Sequence, residues 1–184
     1  VPLQNKRLNY LILVLGASVI AMIDQWTKHL IRTRLAVGQV WAPIPAIEPF
    51  FRIINWHNTG AAFGLFPDGG LLFTVVAAIV SVAILYYYPQ ISGASRLLRV
   101  ALILQLGGAL GNLVDRLLRG PVTDFVAVGS FPVFNVADAS ISTGVALLIL
   151  ALWLEERRHE AETNDADGPP DTPTSPLEPG RPVG

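Results

Sequence analysis

The 184-residue chain has no cysteine. That absence removes disulfides, cysteine-ligated zinc and thiol nucleophiles together, while leaving the redox compartment undetermined. Histidine is nearly as scarce. His29, His57 and His159 occur without His-Glu-x-x-His or any other ligand-like spacing, so neither a catalytic zinc nor another cofactor is expected. Lysine is confined to Lys6 and Lys28, and neither has a serine at a plausible local spacing for Ser-Lys catalysis. Ser-His chemistry is open in principle, but His29 and His57 lack an accompanying nucleophile motif. Charge is thin as well: 15% of residues are charged, the net charge is -1, and no long basic cluster offers a footprint for nucleic acid.

What is present is apolar. A hydrophobic share of 52% is too high for an ordinary soluble domain of this length, which points to an integral membrane protein. Four apolar segments stand out, at about residues 8–30, 71–88, 97–114 and 133–154. A membrane helix needs about 20 apolar residues, a length these segments reach only if the polar residues at their ends sit in the interface. Lipid satisfies no backbone hydrogen bonds, so continuous segments of this length must be helical. The first follows Lys6 and Arg7 and resembles a secretory leader, but it runs into Asp24-Gln-Trp-Thr-Lys28 without a small-x-small cleavage pattern and is read as a retained helix.

The expected fold class is therefore all-α integral membrane: four transmembrane helices with a small extramembrane β element and a loop or helix beside it. The β element is placed in the long connection 31–70, where Phe50-Phe-Arg-Ile-Ile-Asn-Trp-His57 nearly alternates. The connection 117–132 contains two turn-prone stretches, Gly120-Pro-Val-Thr-Asp-Phe125 and Gly129-Ser-Phe-Pro132, and can fold back over the helix ends. Residues 1–158 form one membrane domain. From residue 159 the composition turns to Glu, Asp, Pro, Thr and Gly, and a disordered tail is expected.

Counting spans places both termini on one side. Asp24, Lys28, Asn58, Asp115, Arg116, Asp124 and Asp138 then all fall on the other, whichever way the protein faces. Basic residues flanking the spans number six on each side, so the positive-inside rule does not decide the orientation.

Two units carry the chemistry, Gly111-Asn-Leu-Val-Asp-Arg116 and Phe134-Asn-Val-Ala-Asp138. Each contains Asn-x-x-Asp beside an apolar run, and an ionisable residue at that depth is a functional-site hypothesis by default. Residues three apart share a helix face, so Asn112 is expected to hold Asp115 and Asn135 to hold Asp138. Should the third and fourth helices pack together, Asp115 and Asp138 could face each other and share one proton, as aspartic-protease carboxylates do. The plainer alternative is that Asp115 pairs with Arg116 or Arg119 and Asp138 caps the fourth helix. Arg116 suits a substrate carbonyl or phosphate, or ordinary snorkelling. Gly107, Gly108, Ala109 and Gly111 permit close helix approach. Asp24 and Lys28 have the spacing of a helix salt bridge, and Asn58-Thr-Gly-Ala-Ala-Phe63 suits a loop over the site.

Five ordered blocks resemble the bacterial lipoprotein signal peptidase, or signal peptidase II, family. They are Asp24-Gln-Trp-Thr-Lys28, Asn58-Thr-Gly-Ala-Ala-Phe63, Gly107-Gly-Ala-Leu-Gly-Asn-Leu-Val-Asp-Arg116, Val122-Thr-Asp-Phe125 and Phe134-Asn-Val-Ala-Asp138. The resemblance covers the chain to about residue 155. It implies an aspartyl endopeptidase of the bacterial cytoplasmic (inner) membrane that cuts prolipoproteins before a diacylglyceryl-modified cysteine. It also implies cytoplasmic termini, a site toward the extracytoplasmic face, and inhibition by globomycin. By the same resemblance Asp115 and Asp138 are the catalytic pair. Asn112, Asn135, Arg116, Asn58 and Gly108 bind or orient substrate, and Asp24, Lys28 and Asp124 give support. The expected partners are lipid-modified prolipoproteins and membrane lipid, with no nucleic acid, and the expected state is a monomer. The rival readings are a small ion or proton transporter using the paired carboxylates, and a non-catalytic membrane adaptor.

Overall fold

A computed structural model describes residues 3–60, 69–91 and 95–166 of the chain. The expectation for Ala61–Phe63 of the Asn58 loop lies outside these residues, as does that for the tail beyond residue 166. Four long helices carry the fold: α1 (Leu3–Arg34), α2 (Gly70–Tyr87), α3 (Arg96–Arg119) and α4 (Val136–Ala166). Each contains a stretch long and apolar enough to cross a membrane. Three strands join them at one end: β1 (Val40–Trp41), β2 (Phe51–Asn58) and β3 (Val122–Val128), antiparallel in the order β1-β2-β3.

The expected spans are all helices, with shifted ends. Ser95 caps α3 by accepting the Leu98 N–H at 3.3 Å, an N-cap bond that satisfies one of the free donors of the first turn. The same helix runs past Val114 to Arg119, so Asp115 and Arg116 lie on a full helical turn rather than beyond a helix end. Gly120, at a φ of 85° open to glycine, stops it, and Pro121 cannot continue it. α4 starts at Val136 rather than 133, because Phe134 is already engaged in backbone bonds with Val126. At its far end α4 continues to Ala166, past the tail boundary expected at 159, through a run of the helix formers Glu, Arg and Ala.

The β element is larger than expected. Residues 122–128, in a connection whose stretches 120–125 and 129–132 read as turn-prone, are the strand that completes the sheet beside β2, with Trp56 opposite Asp124 and Asn58 opposite Val122. Its strand character depends on that partner, since β preference is mostly a preference for a suitable neighbouring surface.

α3 is the central helix and packs on α1, α2 and α4. A row of small residues makes this possible. A Cβ at Gly107 would lie 2.9 Å from the Ala17 carbonyl of α1, and one at Gly108 would lie 2.5 Å from the Ala137 carbonyl of α4. At Gly111 it would lie 2.7 Å from the Asp24 carboxylate. Without a hydrophobic driving force in lipid, such close backbone contact is a main source of helix association. Gly108 is thus a packing residue against the first turn of α4, and it lines neither of the two cavities beside Asp138; its expected substrate-orienting role is indirect at most.

Gly108→Ala is expected to push α4 away and cost about 1–3 kcal/mol, as overpacking does. Thermal unfolding in detergent should show the lowered midpoint, whereas Gly129→Ala, in open space, should show only the small cost of its positive φ.

Candidate active site

The carboxylates gather at the sheet end of the bundle, as the span count required, but they sort into two groups. The first is an ion cluster closed off from solvent. Lys28 Nζ lies 2.7 Å from Asp24 Oδ2 and 3.2 Å from Asp115 Oδ2, and all three side chains have no exposed surface. Asp115 Oδ1 also receives Arg119 at 3.1 Å and Arg32 at 3.4 Å. Its Oδ2 accepts the Thr123 N–H at 3.2 Å, and Arg32 reaches Thr123 Oγ1 at 3.1 Å. Every approach to Asp115 is taken by a cation or a donor.

Asp115 therefore does not face Asp138, contrary to expectation. The reason is geometric: α3 presents Asp115 toward α1 and the start of β3, where Lys28 and Arg32 await it, and Arg119 follows one turn later. Of the two readings open in the sequence, pairing with Arg119 is the one realised. Arg32 continues the Asp24–Lys28 stripe at the next i+4 position, a spacing visible in the sequence and not used.

The second group lines a cavity of about 530 Å³. Asp124 from β3 and Asp138 from α4 both line it, together with Asn58, Arg116, Phe73 and Phe131. Asp138 takes part in two bonds with Asn135. Its Oδ2 accepts the Asn135 N–H at 3.1 Å while Asn135 Oδ1 accepts the Asp138 N–H at 2.9 Å, the reciprocal pattern of a capping box. Capping and a place in the cavity are thus compatible for Asp138.

The asparagines act across helices rather than within their own units. Asn112 Nδ2 donates to Asp138 Oδ1 at 2.7 Å, not to Asp115, and its Oδ1 accepts Lys28 Nζ at 2.9 Å. Asn135 Nδ2 donates to Asp124 Oδ1 at 2.6 Å and to Asn112 Oδ1 at 3.1 Å. Asn58 Nδ2 donates to Asp124 Oδ2 at 2.8 Å, reaching diagonally across the β2–β3 ladder. The two cavity carboxylates are thereby tied through Asn135, which bonds to both.

Burial pushes the Asp124 carboxyl up from 3.8 to about 7, with the neighbouring Asp138 charge adding to the rise and the Asn58 and Asn135 amides opposing it. The proton of this group is therefore retained well above the ordinary carboxylate range. The resemblance implied a supporting role for Asp124 in the block Val122-Thr-Asp-Phe125. Its signal was weaker: a carboxylate among apolar residues at the end of a turn-prone loop.

Asp24 holds the other carboxylate-bearing element. Its Oδ1 accepts the Ala137 N–H at 2.9 Å, satisfying one of the free donors in the first turn of α4 from another helix. Arg116 lies with its guanidinium carbon 5.7 Å from the centre of the Phe73 ring, between the main cavity and a second of about 310 Å³. The second is walled by Val76, Ala77 and Val80 of α2 and Ile141 of α4, and it too reaches Asp138.

A four-span bundle whose small sheet brings one carboxylate to a cavity beside another at a helix start defines a membrane protein with a carboxylate-lined site. The chain matches the family described as Signal peptidase (SPase) II over residues 16–154. It is 45% identical to the lipoprotein signal peptidase of Symbiobacterium thermophilum, covering 79% of this chain and 96% of that one. It is 38% identical to that of Bacillus subtilis (strain 168), again over 79% and 96%. A bacterial membrane enzyme solved by the in meso method at 2.3 Å resolution superposes with a TM-score of 0.71 at 34% identity, covering 78% of this chain and 88% of the other. The chain belongs to the signal peptidase II family and is a multi-pass membrane protease of that kind.

Asp115→Asn would leave Lys28, Arg32 and Arg119 around a neutral amide. Breaking a buried pair in this way costs about 3–5 kcal/mol. The yield of folded protein and its unfolding midpoint should fall sharply for this variant, and far less for Asp138→Asn.

Proposed function

We propose that this chain is an aspartyl endopeptidase that removes signal peptides from prolipoproteins by cleaving before the diacylglyceryl-modified cysteine, with Asp124 and Asp138 as the reacting pair. The observation that carries this reading is the placement of those two carboxylates on one cavity, joined through Asn135, while Asp115 is enclosed by cations. In place of Asp115, then, Asp124 is the partner of Asp138, and Asp115 positions it through the neighbouring Thr123.

In this mechanism Asp124 carries the proton of the pair and donates it toward the scissile carbonyl oxygen. Asp138, ionised, takes a proton from the water that attacks the carbonyl carbon. As the tetrahedral intermediate collapses and the C–N bond breaks, Asp138 passes that proton to the leaving nitrogen, and the hydroxyl of the intermediate returns its proton to Asp124. The pair ends as it began. Asn58, Asn112 and Asn135 hold the carboxylates in place, and Arg116 at the cavity rim offers donors to a substrate carbonyl or to a competing cyclic peptide such as globomycin.

The apolar cavity below Arg116 and Asp138 supports a lipid-modified substrate, because it gives an alkyl chain a place beside the reacting groups. A substrate anchored in the same bilayer arrives already oriented, which can supply a large part of the barrier reduction. We place the site at the extracytoplasmic face of the cytoplasmic membrane, with cytoplasmic termini. The exposed Trp41, Phe50 and Phe131 around the sheet suit a membrane–water interface.

With a lipid-modified prolipoprotein as substrate, Asp124→Asn and Asp138→Asn should each lose more than about 10³-fold in cleavage rate. Folded Asp115→Asn protein should retain measurable turnover. Full cleavage by Asp124→Asn would return the assignment to Asp115. The pH profile gives a second check. Since the raised group must be neutral to donate, kcat/KM should fall as pH rises through about 7, where Asp124 ionises.

A further inference from the structure

At the end of the bundle opposite the carboxylates, the first turns of α1 and the last turn of α2 flank a cavity of about 710 Å³. Lys6 and Arg7 line it at the point where the first span begins. Leu11 and Val14 continue its wall down α1, and Leu85 and Tyr86 form the α2 side. Among the described residues no acidic side chain lines it, and Lys6 and Arg7 have no ion pair. Arg99 is another cation at this end, bonded to Asn9 Oδ1 at 3.3 Å. Glu155 and Glu156, at the same end on α4, are not among the lining residues.

We propose that this cavity is a binding site for an anionic phospholipid of the leaflet at the termini, independent of the peptidase site. The phosphate sits between Lys6 and Arg7, whose guanidinium and ammonium groups supply both charge and donors. One acyl chain follows Leu11, Val14 and Leu85, and the tyrosine occupies the headgroup level, where aromatic side chains with a polar edge settle. The combination selects a lipid over a free phosphate: apolar walls give a soluble anion nothing, and a zwitterionic lipid leaves the two cations without a net countercharge. Such a lipid clamps the start of α1 to the end of α2, two helices that otherwise meet at this end mainly through the turn Tyr88–Gln90.

The test is a native mass-spectrometric titration of the delipidated full-length protein with phosphatidylglycerol and with phosphatidylcholine of the same acyl chains. Two basic side chains at an anionic surface predict roughly a 30-fold preference for phosphatidylglycerol. In Lys6→Gln/Arg7→Gln the preference should vanish, and in the charge-preserving Lys6→Arg/Arg7→Lys it should persist. Glycerol phosphate should not compete at concentrations that saturate the lipid site. Equal binding of the two lipids by the native chain, an undiminished preference in the glutamine double variant, or full displacement by glycerol phosphate would each overturn the proposal.

Discussion

A lysine ammonium with no exposed surface sits between α1, α3 and the start of α4, and much of the active end depends on how its charge is met. Burying an unpaired ammonium is prohibitive. Lys28 avoids that through Asp24, Asp115 and the Asn112 amide oxygen. Each of those partners has a second attachment. Asp24 holds the first turn of α4 by Ala137, Asp115 holds β3 by Thr123, and Asn112 holds the Asp138 carboxylate. One charge thus sets the relative position of the helix and the strand that carry the two cavity carboxylates.

The same chemistry yields opposite outcomes for carboxylates a few residues apart. Asp115 lies among three cations and is held in place by them. Asp124, nine residues on, is joined to the same cluster through its neighbour Thr123 and through the amides of Asn135 and Asn112; it has another carboxylate for company, and burial raises its carboxyl to about 7. Environment, not residue type, separates a carboxylate enclosed by cations from one beside a cavity. Rigid support behind reactive groups is also what a site needs if its geometry is to persist while substrate enters from lipid.

The four spans, their approximate ends and the gathering of polar motifs at one end were legible because a bilayer imposes a length and forbids free backbone groups. β3 was not. Its residues look like turns locally and become a strand only beside β2. The Asn-x-x-Asp units were recognised as important, and they are, but i,i+3 spacing speaks only of neighbours on one helix. Asn112 crosses to Asp138 and Asn135 to Asp124, contacts between residues 26 and 11 positions apart. The family resemblance marked all these positions, and the cross-helix contacts show which of them stand together.

By itself, then, the sequence determined a four-span membrane protein of the signal peptidase II family with its carboxylates on one side, because hydrophobic run length, chain order and motif identity are properties of the chain alone. Only the tertiary structure decided that Asp124 rather than Asp115 stands with Asp138. That choice depends on which helix face meets Lys28 and Arg32 and on a strand pairing across 66 residues, from Asn58 to Asp124, neither of which any local spacing encodes.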